Sequence, residues 1–106
     1  MSYHLFLDDI RESPYEHWVT VRSYEEFCDY ITEHGVPLGI SFDHDLGGTG
    51  RYSKTGYDCA KWLVKQDMDK KLDITDLTWC VHSANPVGAT NIRKYLSKYF
   101  EKKNEE

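Results

Sequence analysis

Cysteine is scarce in this sequence, and its placement excludes the common paired-cysteine sites. Three cysteines, an odd number, stand far apart at Cys28, Cys59 and Cys80, and none belongs to a CxxC pair. Each lies in an apolar stretch, which is typical of buried thiols in a reducing compartment. We therefore expect buried free thiols.

Long hydrophobic runs are missing as well. No apolar run approaches the roughly 20 residues that a transmembrane helix needs, and the first four residues lack a signal-peptide pattern. We expect a cytoplasmic protein that makes no membrane contact.

The sequence also lacks an excess of positive charge. Its formal net charge is −5 at pH 7, whereas broad electrostatic binding to nucleic acid needs a basic patch. This charge disfavours such binding but still allows a small anionic ligand in a local pocket.

What the sequence does contain is typical of one small globular domain. It has 106 residues, 40 % of them hydrophobic, with eight tyrosines and three tryptophans. We expect residues 1–100 to form a single domain and the charged residues 101–106 to form a disordered tail.

Strand and helix signals alternate along the chain. Short apolar runs predict four strands: Leu5–Leu7, Trp18–Val21, Leu38–Phe42 and Leu77–Val81. Capping residues predict the starts of three helices: Ser23, Thr55 and Asn85. Alternation of this kind predicts a parallel sheet covered by helices, here a three-layer α/β sandwich with strand order 2-1-3-4.

Three of the four predicted strands end in polar clusters. These are Asp8-Asp9, Asp43-His44-Asp45 and His82-Ser83. Ligands of open parallel sheets bind beyond the carboxyl ends of the strands, at the point where the strand order reverses. We expect all three clusters to line one crevice there.

The aspartates at these strand ends are candidate metal ligands. Grouped carboxylates suit Mg²⁺ or Mn²⁺, so we assign Asp8, Asp9 and Asp43 to a metal site. The alternative is that they only cap turns at the strand ends, which aspartate often does.

Two histidines beside these carboxylates are candidate catalytic groups. An imidazole titrates near neutral pH, so His44 and His82, with Asp43, can move protons during phosphate-ester chemistry. Asp45 would orient His44. The alternative is that each histidine only bonds a backbone carbonyl, and their spacing disfavours a Zn²⁺ site.

Further residues are candidates for binding a phosphorylated substrate. Ser83 and Asn85 precede a helix whose amino end attracts phosphate. The glycine-rich loop from Gly47 to Gly56 lacks a Walker motif but brings several polar side chains near the crevice: Arg51, Lys54, Thr55 and Tyr57. Arg11 can add positive charge. The alternatives are a plain helix cap, an ordinary surface loop and a surface ion pair of Arg11 with Glu12 or Asp9.

At these residues the chain resembles a known family. The blocks "LFLDDIR", "SFDHDLG", "TGYD" and "HSANPVGATNI" are similar to those of cyclic-phosphate processing receivers, a divergent branch of response-regulator receiver domains, over roughly residues 3–99. The resemblance implies a flavodoxin-like or receiver-like fold with a truncated C-terminal part. It also implies a phosphoesterase that opens cyclic phosphates on nucleotides or ADP-ribose, in RNA repair, nucleotide salvage or conflict systems.

The chain departs from ordinary receivers in ways that favour an enzyme. It has no fifth strand and hence no matching lysine, and it adds His44 and His82 beside the carboxylates. The prediction is a cyclic phosphodiesterase acting on a small nucleotide-like phosphate, with Mg²⁺ or Mn²⁺ as the expected ion. The alternative is a degenerate receiver that accepts phosphate on Asp43 or binds a partner or ligand.

Overall fold

Four short strands form one parallel sheet in the computed structural model, which describes residues 2–47 and 53–105. The strands are β1 (His4–Leu7), β2 (Val19–Val21), β3 (Gly39–Phe42) and β4 (Thr78–Val81). Their order is β2-β1-β3-β4, and every neighbouring pair is parallel. The predicted α/β class and strand order are confirmed, and β1 and β3 are adjacent where the order reverses.

Three helices begin at the capping residues that the sequence predicts. They are α1 (Tyr24–His34), α2 (Gly56–Met68) and α3 (Pro86–Asn104). The side chains of Ser23, Thr55 and Asn85 accept hydrogen bonds from backbone N–H groups in the first turn of their helices. None of the helices in the described ranges is both long and apolar enough to cross a membrane.

The core lies on one face of the sheet. Side chains alternate between the two faces of a strand, and those of Leu5, Leu7, Ile40 and Phe42 belong to one buried cluster. All three helices contribute to that same cluster: Phe27 and Ile31 from α1, Cys59 and Leu63 from α2, and Ile92 and Leu96 from α3. The helices therefore pack as a single layer.

The opposite face has no helix among the described residues, so the expected three layers are two. The connection from β1 to β2 contains Pro14 and forms no helix, and α3 is the last described element. Cys80 lies on this helix-free face of the edge strand and is exposed. The expectation of buried thiols holds for Cys59 and in part for Cys28, but not for Cys80.

The expected disordered tail is helical as far as Asn104. The ammonium group of Lys103 lies 3.0 Å from Oδ2 of Asp67, which also accepts a hydrogen bond from the Tyr99 hydroxyl. Asp67 is buried near the end of α2, so this contact fastens the last turns of α3 to the domain. Basic residues in a last turn also interact favourably with the helix dipole.

Candidate functional site

A cavity lies at the carboxyl ends of β1, β3 and β4. Its volume is about 280 Å³. The topology explains it, because three strands end side by side and each is followed at once by polar residues. Its lining residues are Asp8, Asp9, Ile10, Arg11, Asp43, Asp45, Gly47, Ser83 and Ala84. The predicted crevice is therefore formed, with four carboxylates around it.

Asp8 is the deepest of these carboxylates, with 2 % of its surface exposed. Its Oδ1 accepts hydrogen bonds from the backbone N–H groups of Ile10, at 2.9 Å, and Arg11, at 2.8 Å. Its Oδ2 lies 3.0 Å from Nε2 of His82. Burial alone would raise the pKa of Asp8, but these hydrogen bonds outweigh it and hold the pKa below the ordinary value. Asp8 is therefore a fixed, ionised group.

Asp43 is under the opposite influence. Burial and the neighbouring carboxylate of Asp8 raise its pKa. A hydrogen bond from Ser83 and the backbone N–H of His44, 2.9 Å from Oδ1, lower the pKa of Asp43 but do not cancel the rise. Two acidic groups thus repel each other beneath the cavity, and a cation between them would relieve that repulsion.

His82 has both ring nitrogens engaged. Nδ1 lies 2.7 Å from Oγ of Ser41, and Nε2 lies 3.0 Å from Oδ2 of Asp8. The ring stacks on Phe6, with centroids 4.4 Å apart and planes 6° from parallel. His82 is an expected acid or base, and among the described residues it does not line the cavity.

Three groups converge closely enough to hold a metal ion. Donor atoms of Asp8, Asp43 and His82 lie within 4.8 Å of one another. The two carboxylates suit Mg²⁺ or Mn²⁺, whereas the imidazole is a ligand more typical of transition metals. Asp9, the third expected ligand, is not part of this group within the described residues. Its carboxylate lies against Gly47, where an added Cβ would be 2.8 Å from Asp9 Oδ2.

His44 forms a dyad with Asp45 at the rim. Nδ1 of His44 lies 2.8 Å from Oδ1 of Asp45, and Nδ2 of Asn85 donates to the same oxygen at 3.3 Å. These hydrogen bonds lower the pKa of Asp45. The ring of His44 lies against Gly88, in the first turn of α3. Asp45 lines the cavity and is bonded to His44, so the expected orienting contact is present.

A family model described as cyclic-phosphate processing receiver domain matches residues 3–98. The chain belongs to this family. No curated protein and no solved structure matches the chain. The match covers every strand and most of α3, so the cavity of this receiver domain is formed entirely by residues within the family's span.

Some of the predicted substrate-binding residues of this receiver domain reach the cavity. Arg11 and Ser83 line it, and Ser83 also bonds Asp43. Asn85 acts as the helix cap, since its Oδ1 accepts the N–H of Gly88 at 3.0 Å. Its Nδ2 donates a hydrogen bond to Asp45, which lines the cavity.

The three predicted loop residues that the structure describes do not line this cavity. Lys54 lies over the ring of Tyr24, 5.5 Å from its centroid, and Thr55 is bonded to Asp58 in a capping box. Tyr57 packs against Tyr95 between α2 and α3, with centroids 5.4 Å apart. Their contacts are those of a helix cap and of side-chain packing, whereas the stated alternative was an ordinary surface loop. Arg51, like all of residues 48–52, lies outside the described residues.

Two residues of the site were missed at the sequence level. Arg22 holds the acidic loop, since its guanidinium donates to the carbonyls of Asp8, at 3.1 Å, and Arg11, at 2.7 Å. It also pairs with Glu12 at 3.0 Å. Glu12, one of the two alternative partners of Arg11, therefore pairs with Arg22. Ser41 contacts His82. Its signal was a lone polar residue inside an otherwise apolar strand.

Proposed function

We propose that this receiver domain is a metal-dependent phosphoesterase that opens a cyclic phosphate on a nucleotide or ADP-ribose derivative. One observation carries the proposal: within residues 2–47 and 53–105, four aspartates and one arginine line the cavity. A phosphate anion would be repelled by that lining unless a cation came between them. The family description supplies the substrate class, since it concerns cyclic-phosphate processing.

Asp8 and Asp43 are the residues that would hold Mg²⁺ or Mn²⁺. Their oxygens converge, and the repulsion that raises the pKa of Asp43 would become attraction toward the ion. When bound, such an ion supplies positive charge for the phosphate oxygens and lowers the pKa of a nearby water molecule. The backbone N–H groups of Ile10 and Arg11 keep Asp8 in place for this role.

The phosphate would lie between Arg11 and the amino end of α3. Arg11 lines one side of the cavity, and Ser83 lines another, just before the helix starts. A guanidinium, a hydroxyl and the positive end of a helix dipole are all suited to phosphate oxygens. Asn85 holds that helix end in register through its cap.

The proton transfer would use the dyad of His44 and Asp45. Water gives up one proton as its oxygen attacks the phosphorus, the bond from phosphorus to one ribose oxygen breaks, and that ribose oxygen takes up one proton. Nδ1 of His44 is bonded to Asp45, so Nε2 is the nitrogen that would exchange this proton. His82, bonded at both nitrogens, has no proton-transfer role in this scheme.

A panel of phosphate esters followed by ³¹P NMR tests the proposal. We would supply 2′,3′-cyclic nucleotides, ADP-ribose 1″,2″-cyclic phosphate and 3′,5′-cyclic nucleotides, each with Mg²⁺, with Mn²⁺ and with a chelator. We expect loss of a cyclic-phosphate resonance that requires metal and disappears in Asp43→Asn and His44→Ala. Asp69→Asn, which alters an exposed carboxylate paired with Lys65, is the matched control and should retain turnover.

A receiver that accepts phosphate on Asp43 is the second candidate. The contact between Ser83 and Asp43 at the end of β3 favours it, because that arrangement resembles the phosphoacceptor site of ordinary receivers. A silent ester panel, together with a base-labile and hydroxylamine-sensitive adduct from acetyl phosphate that Asp43→Asn abolishes, would overturn the enzyme and establish the receiver.

A further inference from the structure

We propose that Ser41 is a positioning residue that fixes the tautomer of His82, and that His82 in turn orients the carboxylate of Asp8. The inference rests on the proposed function in one respect, that Asp8 holds the metal ion. It assigns a role to a residue of the sheet interior and changes the role of His82 from proton carrier to hydrogen-bonding support.

The hydroxyl of Ser41 contacts both Cys80 and His82. The thiol of Cys80 donates to Oγ of Ser41 at 3.3 Å. Ser41 therefore has its own proton to give to Nδ1 of His82, 2.7 Å away. Asp8 is a carboxylate and can only accept, so Nε2 of His82 carries the proton that bridges the 3.0 Å to Oδ2. In the neutral form of His82 these two contacts place the ring proton on Nε2.

The burial of Ser41 shows that its hydroxyl needs this partner. Ser41 is 2 % exposed and stands between Ile40 and Phe42 in β3. A buried hydroxyl without a hydrogen bond costs about 1–3 kcal/mol on protein scales. The strand register places Ser41 beside Phe6 on one side and Cys80 on the other. Its partners are therefore fixed by the sheet itself.

Ser41 and Phe6 together fix the orientation of the imidazole. Phe6 lies parallel to the ring at 4.4 Å, and the hydrogen bond with Ser41 keeps Nδ1 on the side of β3. Turning the ring over would replace both nitrogens by carbons at Ser41 and Asp8, and two buried polar groups would lose partners. Asp8 then has Oδ1 held by two backbone N–H groups and Oδ2 held by His82. Its remaining lone pairs are left for an ion.

The cluster of Asp8, Asp43 and His82 would allow His82 either to ligate a metal ion or to support a ligand, and the tautomer decides between them. With its proton on Nε2, His82 cannot ligate a metal through that atom, so it supports a ligand instead. Hydrogen-bonded partners of metal ligands commonly contribute 10–100-fold to affinity. We therefore expect loss of the Ser41 hydroxyl to lower Mg²⁺ affinity by about 10-fold.

Nitrogen NMR of the histidine side chains tests the proposal directly. In the unaltered protein we expect His82 to show a protonated Nε2 and an unprotonated Nδ1, both without metal and with Mg²⁺. In Ser41→Ala we expect a mixture of tautomers and Mg²⁺ binding weakened by about 10-fold in calorimetry. Ser41→Thr, which keeps the hydroxyl, should restore both.

Matched variants distinguish this role from simple packing. Thr20→Val removes a hydroxyl from the same sheet face, beside Phe6 in the register, and should leave tautomer and affinity unchanged. Ser41→Val is the shape-matched partner of Ser41→Thr if the alanine variant does not fold. An unchanged tautomer in both hydroxyl-free variants would overturn the proposal, as would loss of the Nε2 proton on Mg²⁺ binding. The tautomer is measured without substrate, so a silent ester panel leaves this result intact.

Discussion

Gly88 lies directly against the imidazole of His44. A Cβ added at Gly88 would come within 2.3 Å of Cγ of that ring, far inside contact distance. The helix α3 can approach the end of β3 this closely only because residue 88 has no side chain. The position of His44 beside Asp45 therefore depends on a glycine in another element.

Gly88→Ala should push His44 out of its place. Overpacking costs about 1–3 kcal/mol, whereas alanine regains up to about 1 kcal/mol of helix propensity, so we expect a net loss of about 1–2 kcal/mol. The free energy of unfolding in urea measures this, and the ³¹P assay should show a lower kcat.

The His44→Ala background provides the control for that substitution. Without the ring, Gly88→Ala should become neutral or stabilising, because only the helix-propensity gain is left. An equal cost in both backgrounds would contradict the contact between these two residues as its cause.

Gly56→Ala should be the more damaging of the two glycine substitutions. Its Cβ would meet the carbonyl oxygen of Asp43 at 1.8 Å, and the N–H of Gly56 donates to the carbonyl of His44 at 2.8 Å. The obstacle is backbone, which cannot turn aside as a side chain can. We expect a loss of about 3 kcal/mol or more in urea unfolding and weaker Mg²⁺ binding, since Asp43 must move. A cost no larger than that of Gly88→Ala would argue against this difference.

The acid sensitivity of the fold should depend on Asp67. Burial alone would raise its pKa, but hydrogen bonds from Tyr99, the N–H of Ile74 and Lys103 outweigh it, so the folded-state pKa lies below 3.8. A carboxyl with a lowered folded-state pKa contributes stability above its unfolded pKa and loses it as pH falls through the folded value. The stability given by Asp67 should therefore be complete at neutral pH and fade below about pH 4.

Asp67→Asn should remove that dependence. We expect it to cost about 1–3 kcal/mol at pH 7 and to differ less from the unaltered protein at pH 3. Urea unfolding at the two pH values measures the change. Asp69→Asn, which breaks an exposed pair with Lys65, should cost under about 0.5 kcal/mol at either pH. Equal losses at pH 7 and pH 3 for Asp67→Asn would show that its charge is not involved.

Local signals made the sheet order and the helix starts predictable. Each helix begins at a capping residue that can be recognised without tertiary structure, such as Thr55 with Asp58. The convergence of Asp8 and Asp43 followed from the rule that the carboxyl ends of adjacent parallel strands share an edge. The helix-free face of the sheet was not predicted, although the connection between β1 and β2 contains Pro14 and lacks helical periodicity.

Contacts that depend on side-chain direction were out of reach of the sequence. Ser41 and His82 are 41 residues apart, and only the register between β3 and β4 brings them together. Asp8 and Asp9 are adjacent in the chain, yet the turn after β1 directs one carboxylate into the cluster and the other toward Gly47. The helical end of α3 depends on the contact between Lys103 and Asp67. The charged composition of residues 101–106 predicted a disordered tail and gave no sign of this contact.

The carboxylate of Asp43 should serve the proposed metal site while lowering the stability of the metal-free fold. Burial and the carboxylate of Asp8 raise its pKa, so the folded state binds its proton more tightly than the unfolded state does. Such a group stabilises the fold below its unfolded pKa and loses that contribution as pH rises through the folded value. At neutral pH its ionised form is therefore a burden to the metal-free protein.

Asp43→Asn should accordingly raise stability while removing metal binding. In a chelator at pH 7 we expect the free energy of unfolding to rise by about 0.5–2 kcal/mol, the common gain of a single stabilising substitution. Adding Mg²⁺ should raise the Tm of the unaltered protein and leave that of Asp43→Asn unchanged. Thermal unfolding with and without Mg²⁺ measures both effects. A variant that is less stable in chelator would show that hydrogen bonds hold Asp43 more strongly than Asp8 repels it. A variant that keeps its Mg²⁺ response would show that Asp43 does not hold the ion.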